Sequence, residues 1–172
     1  KARGCRAVGI AGGKDKCDYV VNELGFDACI DYKADGMQEK FKAATPDRVD
    51  VYFENVGGAV WEAVFPLLNP YARVPVCGLI AHYNEKAGSN TGRDRLPGTM
   101  RDILTKSLTI RGFIQIEFAD QRRDFYREAA QWIAEGRLKY KEDVVEGLEN
   151  APNAFIDLLR GRNFGKLVVK VA

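Results

Sequence analysis

Residues 5–16 confine this chain more tightly than any other stretch. They read CRAVGIAGGKDK: an apolar run from Ala7 to Ala11, a Gly-Gly pair, then two lysines around one aspartate. A short apolar run that stops at glycine has the make-up of a strand buried in a parallel sheet. Beyond Lys14 the period changes. Cys17, Val20, Val21 and Leu24 fall on one helical face, and Gly25 stands where a C′ glycine belongs.

The same alternation runs down the chain. Residues 28–31 are a short second strand, and 37–44 a short helix stopped before Pro46. VDVYFE at 49–54 is a third strand, followed by Asn55-Val56-Gly57-Gly58. Val60, Trp61, Val64 and Leu68 make a helical stripe whose last turn Pro66 distorts. ARVPVCGL at 72–79 is a fourth strand, although Pro75 counts against a regular central position. The polar residues 82–95 have the composition of a mobile connection. Pro97 is placed to start a helix carrying Ile103 and Leu104, and LTIRGFI at 108–114 is a fifth strand. Phe118, Phe125, Ala129, Trp132 and Ile133 share a helical face that Gly136 ends. The rhythm then breaks. Residues 138–145 are extended, and Asn150 is an N-cap with Pro152 in the first turn. Phe155, Leu158 and Leu159 form the last stripe, and KLVVKV at 166–171 the last strand. Strands alternating with helices at this spacing predict an α/β fold with a mostly parallel, doubly wound sheet. Residues 1–137 form that sheet domain, and 138–172 belong to a different packing unit.

Composition narrows the partners. The formal net charge of the 172 residues is +2, with acids and bases interspersed, so no bulk attraction to nucleic acid or an anionic membrane is expected. No apolar run approaches the roughly 18 residues of a membrane span. Cys5, Cys17, Cys29 and Cys77 stand apart without a C-x-x-C pair and read as buried, reduced thiols of a cytoplasmic protein. With His82 the one histidine, no zinc ligand set or Ser-His-Asp triad is spelled out, and no metal is expected.

Chemistry in an open parallel sheet sits beyond the carboxyl ends of its strands. Four such ends carry small or amide-bearing residues: Gly12-Gly13, Asn55 to Gly58, Cys77-Gly78 and Gly112-Phe113. Where such a sheet binds a dinucleotide, an acid at the tip of the second strand grips the ribose 2′-hydroxyl, while basic residues accommodate a 2′-phosphate. Here the tip is Ala11-Gly12-Gly13 and the next charge is Lys14, which favours NADP(H). Lys16 in a first helical turn opposes the helix dipole, and a phosphate ligand relieves that. Tyr32 either packs on an adenine ring or covers a core edge. Glu54 is a general base or a hydrogen-bond anchor. The G-x-G-x-x-G fingerprint of a dinucleotide fold is not in these residues. The chain therefore reads as a piece of a longer protein, a Rossmann sheet lacking its first strand, and the piece alone is expected to be inactive.

GIAGGKDKC, ELGFD, IDYK, YFENVGG, VPVCGLIAHYN, RGFI, GLENAP and NFGKLVVKV, in this order, together resemble the zinc-independent, medium-chain NADP-dependent reductases, the curcumin and prostaglandin (leukotriene) reductase group. The resemblance implies a Rossmann domain inserted into a GroES-like catalytic domain, to which the C-terminal strand-helix-strand segment belongs. It implies that Lys16 contacts the adenosine 2′-phosphate beside Gly13, where relatives often carry Ser, and that Tyr32 lies along the adenosine. Asn55 follows the strand that flanks the cofactor. Cys77, Gly78, Leu79, Ile80, Ala81, His82 and Tyr83 wrap the nicotinamide half. Phe113, Ile114 and Gln115 give backbone contacts to the carboxamide, and Asn163 closes the far side. The implied activity is reduction of the carbon-carbon double bond of an α,β-unsaturated ketone or aldehyde, with Tyr83 the one candidate catalytic donor. The alternatives are a quinone reductase of the same superfamily, or a non-catalytic crystallin-like or NADPH-sensing protein. Relatives of this kind are often homodimers.

Overall fold

The computed structural model of the protein describes residues 1–83, 85 and 94–171; most of the polar stretch 82–95 therefore lies outside the described residues. In chain order its elements are β1 (Val8–Ala11), α1 (Lys14–Asn22), β2 (Ala28–Asp31), α2 (Met37–Ala44), β3 (Val49–Val51), α3 (Gly58–Val64), β4 (Leu68–Val76), α4 (Leu96–Lys106), β5 (Thr109–Gly112), α5 (Arg122–Ala134), β6 (Glu142–Glu146), α6 (Ala151–Leu159) and β7 (Lys166–Lys170). Every ladder is parallel, and the strands form three sheets, β1-β2, β3-β4-β5 and β6-β7. Among the described residues no helix is long and apolar enough to cross a membrane.

The chain divides into two compact units, Lys1–Ala34 with Arg122–Ala172, and Asp35–Gln121. The first holds β1-β2 and β6-β7. Its two segments meet: the Arg3 guanidinium lies 5.5 Å from the centre of the Trp132 ring, and Arg137 donates to the Ala2 carbonyl at 2.7 Å. The second holds β3-β4-β5 and most of the fully buried apolar side chains, among them Phe41, Val60, Val64, Phe65, Leu68 and Val74. Trp61 stacks on Phe65 at 4.6 Å, and Pro66 converts the end of the α3 stripe into a 3₁₀ turn over Phe65–Leu67.

Four local expectations are corrected. β4 starts at Leu68 rather than 72, and its register on β3 jumps from Val49↔Leu68 to Val51↔Arg73, with Tyr71 at φ 64° inside the irregularity. Pro75 sits within this central strand. Its carbonyl accepts from the Glu54 amide at 3.0 Å, and the ladder forgoes only the one donor that proline lacks. Phe118 lies ahead of α5 in a 3₁₀ segment, at a non-helical φ of −110°, so it is not on the helix face. Asn150 does not cap α6: its backbone is already helical, and its side-chain amide donates to the Glu146 carbonyl at 2.8 Å. The 3₁₀ turn Leu148–Asn150 takes the place of the capped start.

The thiols also differ from expectation. Cys5 and Cys77 are exposed, because they lie just outside β1 and β4, and Cys17 and Cys29 are half-buried. Burial pushes the Cys29 thiol up to about 12, with the Cys17 thiol adding to the effect.

Candidate functional site

In the Asp35–Gln121 unit the carboxyl ends of β3, β4 and β5 carry eleven of the residues singled out above: Asn55, Cys77 to Tyr83, and Phe113 to Gln115. Glu54 organises that edge. Its side chain is fully buried and accepts three hydrogen bonds, from the Tyr52 hydroxyl (2.8 Å) and from the Val56 and Gly57 amides (2.6 and 2.8 Å). Its carbonyl accepts from the Cys77 amide at 2.8 Å, tying the end of β4 to the end of β3. The carboxylate is therefore the anchor of the 54–58 turn, and the reading as a free general base is set aside. Burial, reinforced by the bond to Glu54, holds the Tyr52 phenol well above its ordinary range.

Asn55 and the 77–83 segment close on one another. A Cβ on Gly78 would lie 2.6 Å from Asn55 Oδ1 and 3.1 Å from the Tyr83 hydroxyl oxygen. Only glycine leaves room for those two polar groups to converge. The Ala81 amide donates to the Val56 carbonyl at 2.9 Å, and Ile80–His82 forms a 3₁₀ turn. His82 Nε2 accepts from the Gly58 amide at 3.1 Å, so the proton sits on Nδ1, 3.0 Å from Glu85 Oε2. His82 thus fastens the segment to the turn after β3. Tyr83 is well exposed, with its hydroxyl at the edge the strand ends make.

After β5, Phe113 lies edge-on between Phe53 (6.2 Å) and Phe118 (5.8 Å). The Ile114 amide donates to Glu117 Oε1 at 2.8 Å, and the other oxygen of Glu117 meets Arg111 at 3.0 Å. The Ile114 N–H is thus already engaged.

The remaining four, Gly13, Lys16, Tyr32 and Asn163, lie in the other unit. Gly13 has φ 105°, a conformation that disfavours any side chain, and its amide donates to Asp31 Oδ1 at 2.8 Å. Asp31, which the strand pattern did not single out, closes the Gly12-Gly13 turn across the β1-β2 ladder. Lys14 does not face this turn. It pairs with Asp18 on its own helix, and that bond raises its pKa. Lys16 is the cation that reaches inward, donating to the Gly161 carbonyl at 2.6 Å. Tyr32 covers no core edge; it stands largely exposed above Gly12. Asn163 donates to the Gly165 carbonyl at 2.8 Å within a turn that Asp143 holds through the Phe164 amide.

Among known families, the zinc-binding dehydrogenases match residues 24–169. The NADPH-dependent curcumin reductase of Escherichia coli is 47% identical over all of this chain and half of its own length. Bovine prostaglandin reductase 1 is 35% identical over 99% of this chain and half of its own length. The crystal structure of CurA in complex with NADPH from Vibrio vulnificus superposes with a TM-score of 0.94 at 46% identity, over 98% of this chain and half of that one. The chain thus spans about half the length of the relatives it matches. Despite the family's description, no group of three or more His, Cys, Asp and Glu side chains among the described residues converges to hold a metal. Elemental analysis of the purified protein should find no zinc held through His82 or the cysteines. About one zinc per chain, resistant to mild chelation and lost in Cys77→Ser or His82→Ala, overturns this.

Proposed function

This chain belongs to the zinc-binding dehydrogenase family, and on that premise we propose that it is the greater part of the cofactor-binding half of an NADPH-dependent reductase of carbon-carbon double bonds in α,β-unsaturated ketones or aldehydes. Residues 1–137 form the Rossmann portion and 138–172 belong to the catalytic domain of the intact protein, a cytoplasmic enzyme acting on a small molecule, with a homodimer as its assembly. The observation that carries the reading is the meeting of the Asn55 side-chain oxygen and the Tyr83 hydroxyl beside Gly78, at the carboxyl ends of the strands. Two polar groups gathered at a strand-end edge can orient a polar ring by hydrogen bonds. Within its own unit, the inward-turned Lys16 supports a phosphorylated cofactor.

NADPH supplies the hydride when bound. The chain's own residues orient and polarise. Glu54 fixes the 54–58 turn, His82 fastens the 77–83 segment to it, and Gly78 leaves room for the Asn55 and Tyr83 polar groups to converge. As hydride reaches the β-carbon, negative charge grows on the carbonyl oxygen, which calls for an aimed donor. The Tyr83 hydroxyl is that donor.

Two measurements on the intact enzyme test this. NADPH oxidation should proceed with an enone and not with a quinone lacking the enone reaction; the reverse preference favours the quinone reductase, and no turnover with either a non-catalytic protein. Tyr83→Phe should lower kcat by roughly ten- to a hundredfold, about 1.4–2.7 kcal/mol, with the Michaelis constant for the enone little changed. A kcat unchanged within about twofold, with a deuteride isotope effect showing that chemistry limits the rate, removes Tyr83 from the mechanism.

A further inference from the structure

Lys33 has no role in the site described above, yet its ammonium approaches the same glycine that Lys16 meets. The Lys16 ammonium lies 2.6 Å from the Gly161 carbonyl oxygen. A Cβ on the same glycine would lie 3.5 Å from the Tyr32 hydroxyl and 3.9 Å from the Lys33 ammonium. Two ammoniums and a phenol therefore lie around one glycine. The Lys33 side chain gets there by crossing Gly12, where an added Cβ would meet its Cε at 2.9 Å and the Tyr32 ring at the same distance. Setting two like charges around one residue is unfavourable unless an opposite charge joins them. Among the described residues neither lysine has a carboxylate within ion-pair distance. The acid of that strand end, Asp31, is turned to the Gly13 and Lys33 amides. The Tyr32 ring, 5.9 Å below the Lys33 ammonium, accounts for where Lys33 rests but not for why Lys16 comes to the same glycine.

We infer that Lys33 is a second cation of a phosphomonoester site, acting with Lys16 and completed by the Gly161 turn. The inference rests on the NADPH reading above, in which the phosphomonoester is the adenosine 2′-phosphate. Lys33 is then a residue that sets cofactor specificity, and the C-terminal turn is part of the selection.

The test compares two probes that differ only in that phosphate, adenosine 2′,5′-bisphosphate and AMP, by calorimetry on the intact protein. Lys33→Gln should weaken the bisphosphate roughly five- to tenfold, as expected for one charge-assisted contact at a partly exposed site, and leave AMP unchanged. Lys33→Arg should restore most of the loss, and the salt dependence of bisphosphate binding should be shallower in Lys33→Gln. An equal loss for both probes makes Lys33 merely structural and overturns the inference. So does an unchanged bisphosphate affinity in a protein that still prefers it over AMP, an outcome that leaves the NADPH reading standing. A wild-type protein that does not distinguish the two probes overturns both.

Discussion

Glu54→Ala is expected to destabilise the intact protein by about 3–5 kcal/mol, the cost of stripping a buried group from partners that cannot re-pair. The substitution leaves the Tyr52 hydroxyl and the Val56 and Gly57 amides without their acceptor, in a place closed to water. Glu54→Gln keeps one carbonyl oxygen for the two amides but turns an N–H₂ toward the Tyr52 hydroxyl. Its cost should fall to about 1–2 kcal/mol. Urea denaturation of the three proteins measures the difference, and amide hydrogen exchange at Val56 and Gly57 locates it. A loss below about 1 kcal/mol for Glu54→Ala would show that the turn holds without its anchor.

Lys16→Ala is expected to raise the Michaelis constant for NADPH by roughly ten- to a hundredfold and to leave NADH almost untouched, since one charge-assisted contact to a phosphate is worth about 1.5–3 kcal/mol. The ammonium is already turned inward to the Gly161 carbonyl, so little side-chain freedom remains to be lost when an anion arrives. Equal losses for the two cofactors would place the effect in the Gly161 contact rather than in the phosphate.

The sheet was readable in the chain because its signals are local. The apolar run before Gly12 and the stripe of Cys17, Val20 and Val21 specify β1 and α1 without help from distant residues. Pro66 announced the 3₁₀ turn because its ring removes a donor wherever it stands. What stayed hidden depends on tertiary geometry. Asn150 fits the cap rule, but the turn before it is already helical, so the side chain finds another carbonyl. Lys14 and Lys16 are equally basic. Only the phase of α1 against Asp18 and Gly161 decides which is spent on its own helix. Glu54 was legible as a strand-end acid, but its choice between base and anchor is made by two amides that arrive with the following turn. Lys33 carries no pattern, because the glycine it approaches lies far along the chain.

The first two sheets and the contact of Lys16 with Gly161 are therefore completed at different times. Every ladder joins strands that are neighbours in the chain, β1 with β2, β3 with β4, β4 with β5 and β6 with β7. Each can close soon after its second strand leaves the ribosome, because short loops close fast and cheaply. The bond from Lys16 to Gly161 spans 145 residues, and it waits for nearly the whole of this chain to be synthesised. That contact is thus among the later ones to form in this chain, and a truncation before Gly161 leaves β1-β2 and β3-β4-β5 able to pair but removes both β7 and the carbonyl that Lys16 meets.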